Sequence, residues 1–330
     1  MKKYHKLLVL LLICSIMLLT ACQNPLNKLL GRDQDSDVSL ILENGLNEEE
    51  DLRETVLYYR DDKGILIPLM KKIPWEEGIA KAALRELVDN PETREDLQTV
   101  GLLPTIPTGA DIIGMSINEG LSRVDFNDKI LNCKSEAEEK AMVKSIVYTL
   151  TEFEAIDRVQ ILVNGKIEKK LKFGTKIDTP IEREHINLTQ NLNNDTIPVV
   201  VYYKASFNGE DSFFVPVTKA VSALKADVKT VLNALMEGAP EGTDFYSELP
   251  EGAVVKDVYV KDGIAYIEFS EEITRIPENA IHQQSLVYEI GLTLKEIEPS
   301  ISQVRLLSKG KEIKLHNDVK LNLPVFSNNY

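Results

Sequence analysis

Hydrophobic and polar positions along this chain fall into a succession of short patterns that occurs twice. Val56-Leu57-Tyr58-Tyr59 and Ile65-Leu66-Ile67-Pro68-Leu69 predict two strands joined at Asp62-Lys63-Gly64, a hairpin signal. From Glu76 to Asp89 the period lengthens: Ala80, Ala83, Leu84, Leu87 and Val88 share one helical face, and Pro91 marks the stop. The stretch from Ile106 to Asp128, IPTGADIIGMSINEGLSRVDFND, predicts a second hairpin turning at a glycine. Ser135-Glu136-Ala137-Glu138 is a capping box, which satisfies free amides at a helix start. The helix it opens runs to about Phe153 with Val143, Ile146, Val147 and Leu150 inward, and a strand follows over Val159 to Val163, turning at Asn164-Gly165.

The same order returns downstream. Val199 to Tyr203 and Phe213 to Val217 answer the first two strands, and a helix spans about Asp227 to Glu237 before Gly238 and Pro240. Leu249 to Glu271, LPEGAVVKDVYVKDGIAYIEFSE, repeats the hairpin at a constant offset of 143 positions. A helix from about Glu278 to Ile297 follows, with Leu286-Val287-Tyr288 set against Ile146-Val147-Tyr148, and the segment from Ile301 to Lys311 answers that from Ile156 to Lys166. Each module thus reads ββ-α-ββ-α-β. The predicted fold class is α+β: two tandem homologous domains, each a small antiparallel or mixed sheet with helices packed on one side. The expected domains are 55–175 and 197–330, with 176–196, polar and turn-rich, as the linker.

If each central hairpin turns on two residues, 119–120 and 262–263, the facing pairs follow. Met115 with Val124, Ile113 with Phe126 and Val258 with Ile267 form a core face. On the opposite face Ser116 meets Arg123 in the first copy, whereas Tyr259 meets Tyr266 in the second. Tyrosines anchor many interfaces. Tyr259 and Tyr266 are therefore a candidate interface, the alternative being that they cover the linker or the first module.

The N-terminus is of another kind. Lys2, Lys3 and Lys6 precede an apolar run from Leu7 to Leu19, too short for an ordinary membrane span and suited to a secretory signal. Leu19-Thr20-Ala21-Cys22 has the form of a bacterial lipobox, so residues 1–21 are expected to be a lipoprotein signal peptide and Cys22 the lipid attachment site. Residues 22–54, rich in acidic and polar side chains, read as a flexible tether with a reach on the order of 30 Å. Such a protein is anchored on the outer face of a cell membrane, since two acyl chains give stable attachment where one is marginal.

Charge and cysteine content narrow the classes. Removal of the three signal lysines leaves 35 basic against 52 acidic side chains, a net −17. That balance excludes nucleic acid as a partner. Cys14 leaves with the signal and Cys22 carries lipid, so Cys133 has no intramolecular disulfide partner. Cys133 is either a reactive or intermolecular thiol or a quiet residue near a helix start.

Catalytic signatures are missing: the chain has no phosphate-binding Gly-Lys-Ser/Thr loop, no GxSxG, no HExxH and no CxxC. His185, His282 and His316 do not stand at ligand spacing, so no metal and no cofactor is expected. Asp125 with Asp128, and Glu268 with Glu271, could form acid–base pairs, but carboxylates at a strand exit are more simply turn and capping residues. The sequons at Asn187 and Asn194 carry no weight in a bacterial lipoprotein.

The order lipobox, Val-x-Tyr-Tyr, strand proline, Pro-x-Gly-Ala hairpin, Val147-Tyr148-Thr149-Leu150 and Val159-Gln160-Ile161-Leu162-Val163-Asn164-Gly165-Lys166, most of it duplicated, resembles the GerM family of sporulation and germination lipoproteins, which carry two GerMN domains. The resemblance implies a fold akin to ring-building motifs and a role in endospore formation. It places the protein on the mother cell membrane facing the forespore, among the protein partners of a channel complex, as a homo-oligomer or otherwise. The expected function is a non-enzymatic, membrane-anchored scaffold with no small-molecule substrate. A peptidoglycan-acting enzyme using the duplicated carboxylates and a solute-binding lipoprotein with a ligand between the modules are the alternatives.

Overall fold

The computed structural model describes residues 52–330. The signal segment, Cys22 and the tether as far as residue 51 lie outside the described residues. Strands β1 (Leu52–Arg60) and β2 (Leu66–Pro74) form an antiparallel ribbon. The Asp61 carboxylate closes its turn by accepting the amides of Lys63 (2.9 Å) and Ile65 (2.7 Å). Residues 52–54, assigned from sequence to the tether, are the first rungs of β1. Their partners Lys72 to Pro74 and the Arg53 guanidinium over the Phe153 ring hold them, and none of this is visible in a polar Leu-Arg-Glu run.

A short helix α1 (Ile79–Glu86) buries Ala80, Ala83 and Leu84. Pro91 does not simply end it; it opens α2 (Pro91–Gln98), whose cap Asn90 accepts the Thr93 amide at 2.9 Å. Proline suits a first helical position because its missing N–H would be unpaired there anyway. The central hairpin is β3 (Ile112–Asn118) and β4 (Gly120–Phe126), and β4 continues through a 3₁₀ turn into α3 (Glu136–Leu150) and back to β5 (Ile156–Val163), which lies parallel to β4. The sheet order is β3-β4-β5-β6, with β6 at Ile181–Glu182.

The second repeat has the same plan. A ribbon of β7 (Ile197–Ala205) and β8 (Phe213–Val221) leads to helix α4 (Val228–Met236), then to β9 (Val255–Lys261) and β10 (Ile264–Phe269). Helix α5 (Ala280–Lys295) crosses to β11 (Gln303–Ser308), and β12 (Lys311–Glu312) completes a sheet ordered β12-β11-β10-β9. This is the α+β tandem architecture read from the sequence.

Two details of register differ. Both hairpins turn on two residues with positive φ, Glu119-Gly120 and Asp262-Gly263, as expected. Yet Phe126 faces Ile112 rather than Ile113, because a bulge inserts Ile113 and leaves it 55% exposed. The second copy carries the bulge at the same place, with Phe269 facing Val255. Along the long helices the equivalence shifts by one turn. Thr149 accepts the Tyr58 amide (3.2 Å) and Thr293 accepts that of Tyr202 (2.9 Å), so Thr293, not Glu289, answers Thr149. An apolar stripe at a period near four cannot separate registers a turn apart.

The segment 176–196 is no free linker. Ile177 and Ile186 are buried, and β6 pairs with β5 through Arg158–Glu182 and Val159–Ile181. Single isoleucines spaced among polar residues carry no periodicity, which hid this in the sequence.

Candidate interaction surface

The seam between the repeats is built from one device used twice. Asn187 lies beyond β6 and Asn328 lies near the C-terminus. The Asn187 amide accepts the Leu66 N–H (2.8 Å) and donates to the carbonyls of Leu66 and Pro216 (2.8 Å each). Asn328 mirrors it, accepting the Phe214 N–H (2.7 Å) and donating to Phe214 and Pro68 (2.8 Å each). Each side chain thus spans β2 and β8, with both amide protons donated and its oxygen accepting one bond. Backbone bonds follow the same reciprocity: Thr218 donates to Ile186 (3.0 Å), while Met70 donates to Asn328 (2.8 Å) and Tyr330 returns a bond to Met70 (3.0 Å). The C-terminal residues therefore strap the second repeat onto the ribbon of the first.

Beside this strap a cleft of about 400 Å³ opens between the repeats, lined by Tyr58, Tyr202, Glu152, Glu296, Arg183 and Lys295 among others. Tyr58 donates to Glu152 (2.8 Å) and Tyr202 to Glu296 (2.9 Å), and Arg183 pairs with Glu152. Val56, Leu292, Val325 and Phe326 also line it, and its two carboxylates are already engaged by the tyrosines.

The duplicated carboxylates have structural work. Asp125 accepts the Gly165 amide at 2.7 Å, and Glu268 accepts that of Gly310 at 3.2 Å, so both fasten the turn after the third sheet strand. Asp128 and Glu271 are exposed and pair with Lys129 (3.6 Å) and Lys309 (2.8 Å). Among the described residues no cluster of His, Cys, Asp and Glu could hold a metal ion. The Cys133 thiol is buried against the Met142 sulfur (3.7 Å), and burial pushes it up to about 11, so it is the quiet alternative.

One polar constellation escaped the sequence reading. Glu289 of α5 is fully buried, accepts the Glu248 amide (3.0 Å) with one oxygen, and has no hydrogen-bond partner among the described residues for the other. Burial pushes its carboxyl up to about 8. Its neighbour Glu248 is held low: burial opposes its charge, but His282 (2.7 Å) and Lys204 (2.9 Å) outweigh that. Two carboxyls with separated affinities are the kind of pair acid–base chemistry uses. Here the raised one is sealed from solvent under the 247–249 loop, out of reach of a substrate. The first repeat has Thr105 and Ser145 bonded at 2.7 Å on the equivalent rungs. A glutamate on an apolar helical face was the signal, masked by the one-turn error in register.

Tyr259 and Tyr266 face one another across β9 and β10, with ring centroids 4.9 Å apart and planes 9° from parallel. Tyr259 is 52% exposed and Tyr266 half-buried, so neither the linker nor the first repeat covers the pair. Arg305 is the next residue in the same rank. Edge strand β9 carries this surface, and Val254, just before it, adds a further exposed apolar side chain. In the first repeat the equivalent rank is Ser116 and Arg123.

Comparison with known proteins extends the geometry. Residues 56–169 and 200–314 each match the family described as Germane: sporulation and spore germination. The chain is 30% identical over 279 residues to the spore germination protein GerM of Bacillus subtilis (strain 168), covering 82% of this chain and 75% of that protein. The solved tandem GerMN domains of the sporulation protein GerM from Bacillus subtilis superpose with a TM-score of 0.70 at 27% identity, covering 84% of this chain and 99% of that one.

Proposed function

This chain belongs to the Germane family of sporulation and spore germination proteins, and on that premise we propose that it is a non-enzymatic scaffold, anchored by lipid on Cys22 to the outer face of the mother cell membrane. It stands between that membrane and the forespore, where its second repeat presents the Tyr259–Tyr266 face to a protein partner or a neighbouring copy in a ring or channel assembly. The observation that carries this reading is the stacked, partly exposed tyrosine pair across edge strand β9 and its neighbour β10, placed where the first repeat has Ser116 and Arg123. Aromatic side chains that are half-exposed in a lone chain bring large contact area at little entropic cost when a partner covers them. The strap at the seam supports the same reading, since a scaffold needs fixed geometry between its modules.

Replacement of both tyrosines by serine tests this in sporulating cells. The pair contributes only about 0.2–1 kcal/mol within the sheet, so the protein is expected to accumulate and stay folded. Spore formation or germination is expected to fall; normal spores from that strain would refute the assigned surface. Replacement of Cys22 by serine is expected to abolish incorporation of labelled fatty acid into the protein, and labelling that persists in that variant would refute the lipid anchor at Cys22.

A further inference from the structure

The two larger sheets end on equivalent edge strands, β3 and β9, and among the described residues no further strand pairs with either. An open edge presents unpaired amides and carbonyls, and charged side chains commonly guard it. Strand β9 is guarded in this way, by Lys256, Asp257 and Lys261. Its turn closes on Lys261 and Ile264, so alternate residues bond inward and Val258 and Val260 direct their backbone groups away from β10. The Asp257 carboxylate takes up one of these outward groups, accepting the Val258 amide at 2.9 Å.

The first repeat has lost these guards. At the offset of 143 positions Lys256, Asp257 and Lys261 correspond to Ile113, Gly114 and Asn118, and β3 carries no charged residue. Ile113 and Ile117 are both exposed. The bulge is common to both edges and does not account for the difference. Gly114 has no explanation within its own repeat. Its φ is not positive, and an added Cβ would meet no described atom within 4 Å. Glycine weakens a strand interior, and it recurs where another backbone approaches closely.

Backbone phase specifies what approaches. The turn closes on Asn118 and Leu121, so Met115 and Ile117 direct their amides and carbonyls away from β4. We propose that two copies of the chain pair antiparallel through Ile112–Asn118, about a twofold axis at Met115, and so join their first-repeat sheets into one. This register alone pairs all seven residues, and it sets outward groups against outward groups. Met115 faces Met115 of the second copy, Ile117 faces Ile113, and Gly114 faces Ser116. The last is a non-hydrogen-bonded pair, whose Cα atoms come within about 4.5 Å, and two small residues suit that spacing. A second copy fits better than a charged strand because β3 is its own neutral complement in an acidic chain. Asp111 and Glu119 of the two copies meet at the ends of the paired stretch, so pairing is expected to strengthen as salt screens them. The dimer edge lies on the repeat that lacks the tyrosine pair and is independent of it.

Disulfide trapping on the full chain tests the pairing. Met115→Cys sets facing Cα atoms about 5.5 Å apart, within disulfide reach. Mild oxidation is expected to link position 115 of two copies, as identified by mass spectrometry, with a yield that rises with salt. Ile113→Cys mixed with Ile117→Cys, both at exposed side chains, is expected to link at the next rung. Adding Ile117→Lys to Met115→Cys restores a guard at an exposed position and is expected to cut the yield at least about tenfold. Absence of both linkages overturns the proposal, as does a 115–115 yield that survives Ile117→Lys. Linkage of Met115→Cys to Val258→Cys in mixed chains, with none at 115–115, assigns head-to-tail pairing of β3 with β9 and overturns the twofold.

Discussion

Single residues decide which copy does what. Glu289 is the sharpest case, because its carboxyl titrates near 8 when folded against about 4.5 ordinarily. The folded state then holds a proton that the unfolded chain has released between those values. Stability from this group is full below about pH 4.5 and is lost as pH rises toward 8. The Lys204 ammonium from β7 and the Glu248 amide offset part of the upward shift, whereas the Glu248 carboxylate, itself paired with His282 on α5, adds to it. Glu289→Gln removes the titration, so the variant is expected to gain thermal stability relative to the unaltered protein as pH rises from 5 to 8. Parallel melting curves across that range would contradict the assignment. The same scale explains the tyrosine pair: Tyr259 and Tyr266 were legible because a two-residue turn with Asp-Gly fixes register. Glu289 was not, because nothing in a helical stripe tells one turn from the next.

At the scale of elements the seam governs. Asn328 serves the Phe214 amide and carbonyl in the second repeat and the Pro68 carbonyl in the first, so Asn328→Ala leaves that amide and both carbonyls without these bonds. Each buried unpaired group costs about 1–3 kcal/mol, and a drop of on the order of 2–3 kcal/mol in unfolding free energy by denaturant titration is expected. An unchanged value would show that the strap is ornamental. Gly291→Ala is a second probe. Its Cβ would collide with Leu323, which costs about 1–3 kcal/mol for an overpacked site, and Leu323→Ala in the same chain is expected to recover part of it. No recovery would contradict the knob-in-notch packing.

The elements themselves were largely readable. Alternation gave the ribbons and hairpins, and period near four gave α1 and the long helices. What the pattern missed depends on contacts far apart in sequence. The strand character of 52–54 comes from pairing with 72–74, and the structure within 176–196 comes from isolated isoleucines that the first core buries. Helix α2 hid behind Pro91, a residue that ends one helix and starts the next.

The described residues form two copies of one module locked by a reciprocal strap, and the copies differ on the exposed face of one sheet as well as at the buried rung of Glu289. Duplication explains the shared carboxylates as turn fasteners, and on the exposed sheet face the copies diverge at Ser116 and Arg123 against Tyr259 and Tyr266. A scaffold reading requires that the divergent face touch another protein. Photo-cross-linking in sporulating cells measures this directly, with a photoreactive residue placed in turn at positions 259 and 266 and, for comparison, at 123. Discrete protein adducts at 259 and 266, and none at 123, are predicted. A protein that accumulates at the membrane yet gives no adduct at 259 or 266 would contradict the account.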